Sequence, residues 1–415
     1  MKVITAEILT IGDEILYGQI TDTNSQWMSS ELDQLGIKVI RKTTVGDTEE
    51  AILGAFADAE KRADITLITG GLGPTNDDLT MPMLAKYYNV NIVMNDQVVQ
   101  HVKEFFESRG RTFTELNKRQ ALVPSNATVL HNDLGTAPGT WFDREGKVFV
   151  SMPGVPHEMK NLMKKHVLPK LIQFFNTPVI YHKLIKTVGI GESFLADKIK
   201  DWEDALPDHI SLAYLPSIGH VKLRLTAVGD NREQLQKDVE EQIEGFLHLG
   251  GKYVYGYNST TLQEAIGTML KERGKTIAFA ESCSGGYVQH MITSIAGSSN
   301  YFQGGIVPYH NNHKVNVLGV QRETLEGHGA VSEATVEEMA ENVRKLFNSD
   351  IGAASSGIAG PGGGSEQKPV GTVWIAYADG AKTISKKLQL TKNRKLNIEL
   401  TNIALLNLVR KSLIG

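Results

Sequence analysis

The chain has 415 residues, enough for two or three domains that each bury a core of their own. Its 43 basic and 47 acidic side chains give a formal charge of -4 with no long run of either sign, which excludes the electrostatic footprint of a duplex nucleic-acid binder. The single cysteine, Cys283, excludes an internal disulfide framework and any CxxC metal site.

At the N-terminus, "MKVITAEILTIGDEIL" is broken by Glu7, Asp13 and Glu14 before a signal-peptide core forms. No apolar run approaches the roughly 20 residues needed to span a bilayer, so a cytoplasmic protein without membrane association is expected. The segment "EILTIGDEIL" reads as a strand up to Ile11. Trp27, Met28, Leu32 and Leu35 then recur at helical spacing and stop at Gly36. "GIKVIRKTTV" reads as the next strand, and "DTEEAILGAFADAEKRAD" opens a second helix on a capping-box pattern from Asp47 to Glu50. "DITLITGG" is a nearly continuous apolar strand. Strands and helices alternating at this spacing predict a parallel sheet covered on both faces, with sites at the carboxyl ends of the strands.

The texture changes near Pro178. "VIYHKLIKTVG", "ESFLADKIKDW", "HISLAYLPS", "HVKLRLTAVGD" and "REQLQKDVEEQIEGFL" predict strand, helix, strand, strand, helix, with a hairpin turn at "SIG". The topology suits a KH-like module. Its nearest glycine pair, Gly189-Ile190-Gly191, lacks the GxxG clamp on a nucleic-acid backbone, so a spacer or dimerisation module is the expectation. A third region starts near Thr260 with the amphipathic helix "TTLQEAIGTMLKERG" and the strand "KTIAFAES". Further strands are predicted at "FQGGIVPY", "IGAASSG", "GTVWIAYA" and "KTISKKLQL", and a closing helix from about Asn393. The expected fold class is α/β: two α/β domains, residues 1–175 and 257–415, joined by a small α+β KH-like module, residues 176–256.

Two loops carry chemistry. In "ITGGLGPTNDDLT", consecutive glycines can turn backbone N–H groups inward as an anion-binding nest at a helix start. Asp77 and Asp78 occupy that start, either as partners of the helix dipole or as holders of a divalent cation that bridges a phosphate. In "AESCSGG", a serine before Gly285-Gly286 either caps the next helix or serves as a nucleophile. "IVPYHNNHK" supplies a tyrosine and a lysine after another strand; a lysine acts as base toward a serine hydroxyl only where burial lowers its pKa. The glycine-rich "SSGIAGPGGGSEQKPVG" is either a flexible surface loop or a source of free backbone donors. Cys283 reads as a small buried residue, and His157, His310 and His313 as polar loop residues.

The first loop, with Thr69, Gly70, Gly71, Gly73 and Asp78, resembles the molybdopterin-binding domain of molybdenum-cofactor proteins, as does "SMPGVPHEM". Leu72 stands where that domain usually has threonine, and Asp77 where it commonly has arginine, which favours a metal-assisted site over pterin binding. Taken in order, "TIGDEILYGQITDTNSQWMSSEL", "TGGLGPTNDDLT", "GTAPG", "MPGVPHEM", "VGIGES", "AESCSGG", "GGIVPYHNNHK", "SSGIAGPGGG" and "PVGTVWIAYA" resemble full-length members of the CinA family, competence- and damage-inducible protein A.

That resemblance implies a cytoplasmic, homodimeric protein with two activities. Its carboxyl-terminal domain would hydrolyse the carboxamide of nicotinamide mononucleotide without a cofactor, giving the acid and ammonia. Ser282 would be the nucleophile and Tyr309 with Lys314 its activating pair. Ser356, Gly357 and Arg394, with Gly285 and Gly286, would bind substrate. Ser284 and Ser356 replace threonines of the family pattern, and Ile398 replaces an arginine. The amino-terminal domain would hydrolyse ADP-ribose with a divalent cation such as Mg2+. Asp13, Glu14, Asp77 and Asp78 would hold the metal, and Thr69, Gly70, Gly71, Gly73 and Thr75 the phosphates. The alternative is a molybdopterin-binding module beside a catalytically degenerate partner domain.

Overall fold

The computed structural model describes residues 3–75 and 78–414; the predicted metal ligand Asp77 lies outside the described residues. The chain groups into two compact units. One runs from the amino-terminal end to Tyr181 and takes in Ala227–Gln236; the other comprises His182–Thr226 and Lys237 onward. Among the described residues no helix is long and apolar enough to cross a membrane.

In the first unit a six-stranded sheet has the order Lys38–Val45, Thr5–Ile11, Ile65–Thr69, Lys147–Met152, Gly139–Arg144, Thr128–Leu130. The first four strands run parallel and the last two are antiparallel to their neighbours. The alternation of Thr5–Ile11 decides its packing. Ala6 and Ile8 join Met28 and Leu32 of the helix Thr23–Gln34 on one face. Leu9 and Ile11 join Ile52 and Phe56 of the helix Glu49–Arg62 on the other. Glu7 is fully buried and accepts two hydrogen bonds of 2.9 Å from the Arg62 guanidinium, the paired form in which an interior carboxylate is tolerated. The helix Glu49–Arg62 starts one residue later than expected: Thr48, not Asp47, accepts the Ala51 N–H. Asp47 instead accepts the Asp13 N–H at 3.0 Å, which pins the loop after the first strand.

The middle module forms a four-stranded sheet, Ile210–Ser217, His220–Gly229, Val179–Val188 and Val254–Tyr257, with helices Glu192–Asp204 and Arg232–Gly250. Its last short strand escaped the sequence reading, since "VYGY" carries no alternation to mark it. The five-stranded sheet of the carboxyl-terminal region has the order Phe302–Ile306, Ile277–Glu281, Ile351–Gly357, Thr372–Ala378, Thr383–Gln389. The first three strands are parallel, so their carboxyl ends meet along one edge. Ile277 and Phe279 pack on the helices Leu262–Glu272 and Arg394–Ile414; Ala278 and Ala280 lie under Glu333–Leu346.

Most of the middle module groups with the carboxyl-terminal region. Arg410, 1% exposed, donates to the carbonyls of Lys252 at 2.8 Å and Val254 at 2.9 Å, and to Asn407 Oδ1 at 3.1 Å. Gly189 leaves room for the Asn407 amide, 2.5 Å from where a Cβ would sit.

Candidate functional site

Ser282 directly follows the fully buried strand Ile277–Glu281. Its N–H continues the ladder to the Ser355 carbonyl at 3.0 Å, and its own carbonyl accepts the Gly285 N–H at 3.2 Å. Gly285 and Gly286 both take the left-handed conformation, φ 67° and 91°, that lets the chain turn into the helix Tyr287–Thr293. Neither Ser282 nor Ser284 caps that helix. The cap is Glu281, whose carboxylate accepts the N–H groups of Gly286, Val288 and Gln289 at 3.1, 3.1 and 2.9 Å. The Ser284 hydroxyl is paired with that of Ser355 at 2.8 Å.

Lys314 arrives from the helix Asn311–Asn316 and is 1% exposed. Its Nζ lies 3.2 Å from Ser282 Oγ, 2.8 Å from the Pro308 carbonyl and 3.5 Å from that of Tyr309. Burial pushes its pKa below the ordinary 10.5, an effect that Cys283 partly opposes. When the amine is neutral, its two N–H groups have the two carbonyls as acceptors and its lone pair is left toward Ser282 Oγ. Cys283 is itself buried, and desolvation pushes its thiol up to about 12. It is therefore protonated at neutral pH and no rival nucleophile.

Tyr309 does not join Ser282 and Lys314 through its hydroxyl. That hydroxyl, on an exposed ring, accepts from Arg394 Nη2 at 3.0 Å, while Arg394 Nη1 donates to the Gly360 carbonyl at 2.8 Å. Tyr309 thus belongs with the Arg394 cation. Asn397 is fully buried; its amide donates to the Ala359 and Thr391 carbonyls, fixing the start of the helix that presents Arg394. Polarity inside a helical run was the only sequence signal for it. Ile398 packs against the core. The Ser356 hydroxyl donates to the Ala330 carbonyl at 2.6 Å, and Gly357 passes so close to Val373 that a Cβ would lie 2.6 Å from its Cγ2. Both hold the strand end in place. Gly362 to Gln367 are exposed, as a surface loop would be.

The first unit offers a second site, a cleft of about 410 Å3 at the carboxyl ends of its central strands. Gly70, Gly71 and Gly73 line it. At Gly70, φ 106°, a Cβ would lie 2.1 Å from the Ile11 carbonyl oxygen, so only glycine fits. Thr69 is fully buried: its hydroxyl donates to the Pro153 carbonyl at 3.0 Å and accepts from Asn24 at 3.2 Å. It braces loops and has no surface to offer a phosphate. The Asp78 carboxylate accepts from the N–H groups of Gly73 at 2.7 Å and Thr75 at 2.8 Å, and from the Thr75 hydroxyl. The nest expected to receive a phosphate is thereby closed by an anion of the chain itself, and Thr75 is committed to it.

Glu14, Asp47, Asp78 and Glu158 line this cleft, whereas Asp13 does not. Asp47 and Glu158 escaped the sequence reading. Glu158 sits in the quoted "MPGVPHEM" and accepts from Asn132 at 2.7 Å. Among the described residues no three carboxylates, histidines or cysteines converge to hold a metal, so Asp13, Glu14 and Asp78, the described members of the expected metal site, form no such group.

Three family descriptions match along the chain: "Probable molybdopterin binding domain" over residues 7–173, "Damage-inducible protein CinA KH domain" over 182–256 and "CinA C-terminal domain" over 259–413. A CinA-like protein of Cytophaga hutchinsonii is 54% identical over 410 residues, covering 99% of this chain and 98% of the relative. One of Flavobacterium psychrophilum is 43% identical, covering 95% of each. A crystal structure of CinA from Thermoplasma acidophilum is 32% identical and covers 40% of this chain and 97% of its own, with a TM-score of 0.37. With this identity sustained over essentially the whole length, the chain belongs to the CinA family.

Proposed function

We propose that the carboxyl-terminal region is a serine amidohydrolase that removes ammonia from the carboxamide of nicotinamide mononucleotide. The observation that carries this reading is the buried Lys314 amine, its pKa depressed, aimed by two carbonyls at the Ser282 hydroxyl. Neutral Lys314 takes the Oγ proton as Oγ bonds to the carboxamide carbon. The resulting tetrahedral adduct collapses by breaking its C–N bond, and the lysine returns the proton to the departing ammonia. Water then attacks the Ser282 ester, with Lys314 again accepting a proton, to release the acid and restore the hydroxyl. Arg394, oriented by Gly360 and Tyr309, is the cation for the phosphate of the mononucleotide. The test is ammonia release from nicotinamide mononucleotide, nicotinamide riboside and free nicotinamide. Preference for the mononucleotide supports the reading; equal turnover of all three removes Arg394 from it.

A second activity, on ADP-ribose, is favoured by one feature of the first unit. Among the described residues the cleft is lined by four carboxylates and by no lysine or arginine, so a diphosphate would be repelled unless a cation came with it. Carboxylate oxygens suit Mg2+, which would neutralise the diphosphate there. Calorimetric titration with Mg2+ and ADP-ribose tests the reading: binding of the nucleotide that depends on the metal supports it, and metal-independent binding would favour a pterin-type anion site instead.

A further inference from the structure

Glu281 is fully buried one residue before the nucleophile, and among the described residues no cation is bonded to it. An interior carboxylate is costly unless donors surround it, and here the donors are the N–H groups of Gly286, Val288 and Gln289. The amides from 282 to 289 can be accounted for one by one. Ser282 donates to Ser355, Gly285 to Ser282 and Tyr287 to Ser284, while Gly286, Val288 and Gln289 donate to Glu281. Two remain: Cys283, whose N–H meets only its own sulfur, and Ser284, which has no acceptor among the described residues. Both residues are buried, 6% and 4% exposed. Buried amides without acceptors are rare, and two in succession directly after a nucleophile match the arrangement that receives the negative oxygen of a tetrahedral adduct.

We infer that Glu281 is a positioning residue: by binding the three amides of the helix start, its carboxylate holds the 282–286 turn in the shape that leaves the Cys283 and Ser284 N–H groups free for the oxyanion. As Oγ bonds to the carboxamide carbon, the carbonyl electron pair moves onto oxygen and that charge meets the two donors. The same carboxylate closes the helix start to any other anion, so the substrate phosphate is received elsewhere. This inference rests on the amidohydrolase reading for its reaction, though not for its geometry.

Glu281→Gln is the first variant, because the amide keeps the shape but turns one accepting oxygen into a donor facing backbone N–H groups. Gln289→Pro is the second; it deletes one of the three donors at a first-turn position where proline is tolerated. Both are compared with the full-length wild type well below their melting temperatures. The expected result is a kcat lower by on the order of 10–100-fold for Glu281→Gln. KM stays within about twofold and the pH dependence governed by Lys314 is unchanged, as a loss confined to the transition state requires. Labelling of Ser282 by a fluorophosphonate, in which Oγ bonds to phosphorus, fluoride leaves and the phosphoryl oxygen meets the same two donors, slows in parallel. Wild-type kcat and labelling rate in both folded variants overturn the inference, as does a loss shared equally by KM or accompanied by a shifted pH profile. If the wild type labels but releases no ammonia, slowed labelling in the variants upholds the turn assignment and rejects the nicotinamide reading alone.

Discussion

Replacing Lys314 by methionine separates its catalytic part from its cost to the fold. The apolar stem is preserved while the hydrogen bonds to Ser282 Oγ and to the Pro308 carbonyl disappear. Loss of a general base lowers turnover by about 10²–10⁴, equivalent to roughly 3–5 kcal/mol of barrier. Stability responds with a definite sign. Because burial depresses the Lys314 pKa from 10.5, the unfolded chain binds the extra proton between the depressed value and 10.5. Wild-type stability therefore gains from this lysine as pH rises through that window, and the penalty of burying the charged amine is complete below it. The methionine variant lacks this slope but leaves the Pro308 carbonyl without its donor, a loss of about 1–3 kcal/mol at every pH. Denaturant melts from about pH 7 to about 10.5, with ammonia release in parallel, should show the variant losing ground to the wild type as pH rises. Turnover within about threefold of the wild type, or melting curves whose separation is constant with pH, would refute the role given to a desolvated lysine.

Arg394→Ala should raise KM for the mononucleotide by on the order of 10–100-fold with little change in kcat, since a charge-assisted contact made equally in ground and transition states is lost; steady-state kinetics with an unchanged KM would remove Arg394 from the phosphate. Arg410→Met should destabilise the second unit by about 2–4 kcal/mol in urea titration, because it leaves the carbonyls of Lys252 and Val254 unpaired. A change under about 0.5 kcal/mol would show that water replaces the guanidinium there.

Much of the fold was legible because its strands are short, apolar and punctuated by glycine, as in "DITLITGG" and "KTIAFAES". The same pattern marked the strand that leads into Ser282, and the structure places that strand between two parallel neighbours. The less legible part concerns where carboxylates go. Asp78 folds back onto backbone amides that the glycine-rich loop offered as an anion site, and Glu281 onto those of a helix start. A sequence shows that an acid is adjacent to a nest, and only coordinates show that it fills it. Tyr309 was misplaced for a related reason: proximity in "PYHNNHK" puts tyrosine and lysine together, but the backbone turn sends the hydroxyl to Arg394 and leaves only the Tyr309 carbonyl for Lys314. Thr69 and Ser356 carry hydroxyls that the motif offers to a ligand and the packed structure spends on carbonyls.

The most direct test of Ser282 as nucleophile is ammonia release from nicotinamide mononucleotide by the wild type and by Ser282→Ala, both with excess chelator. Steady release by the wild type and none by the variant, at an unchanged melting temperature, is the result expected of a serine nucleophile. Release retained by the alanine variant, or wild-type release abolished by the chelator, would contradict it.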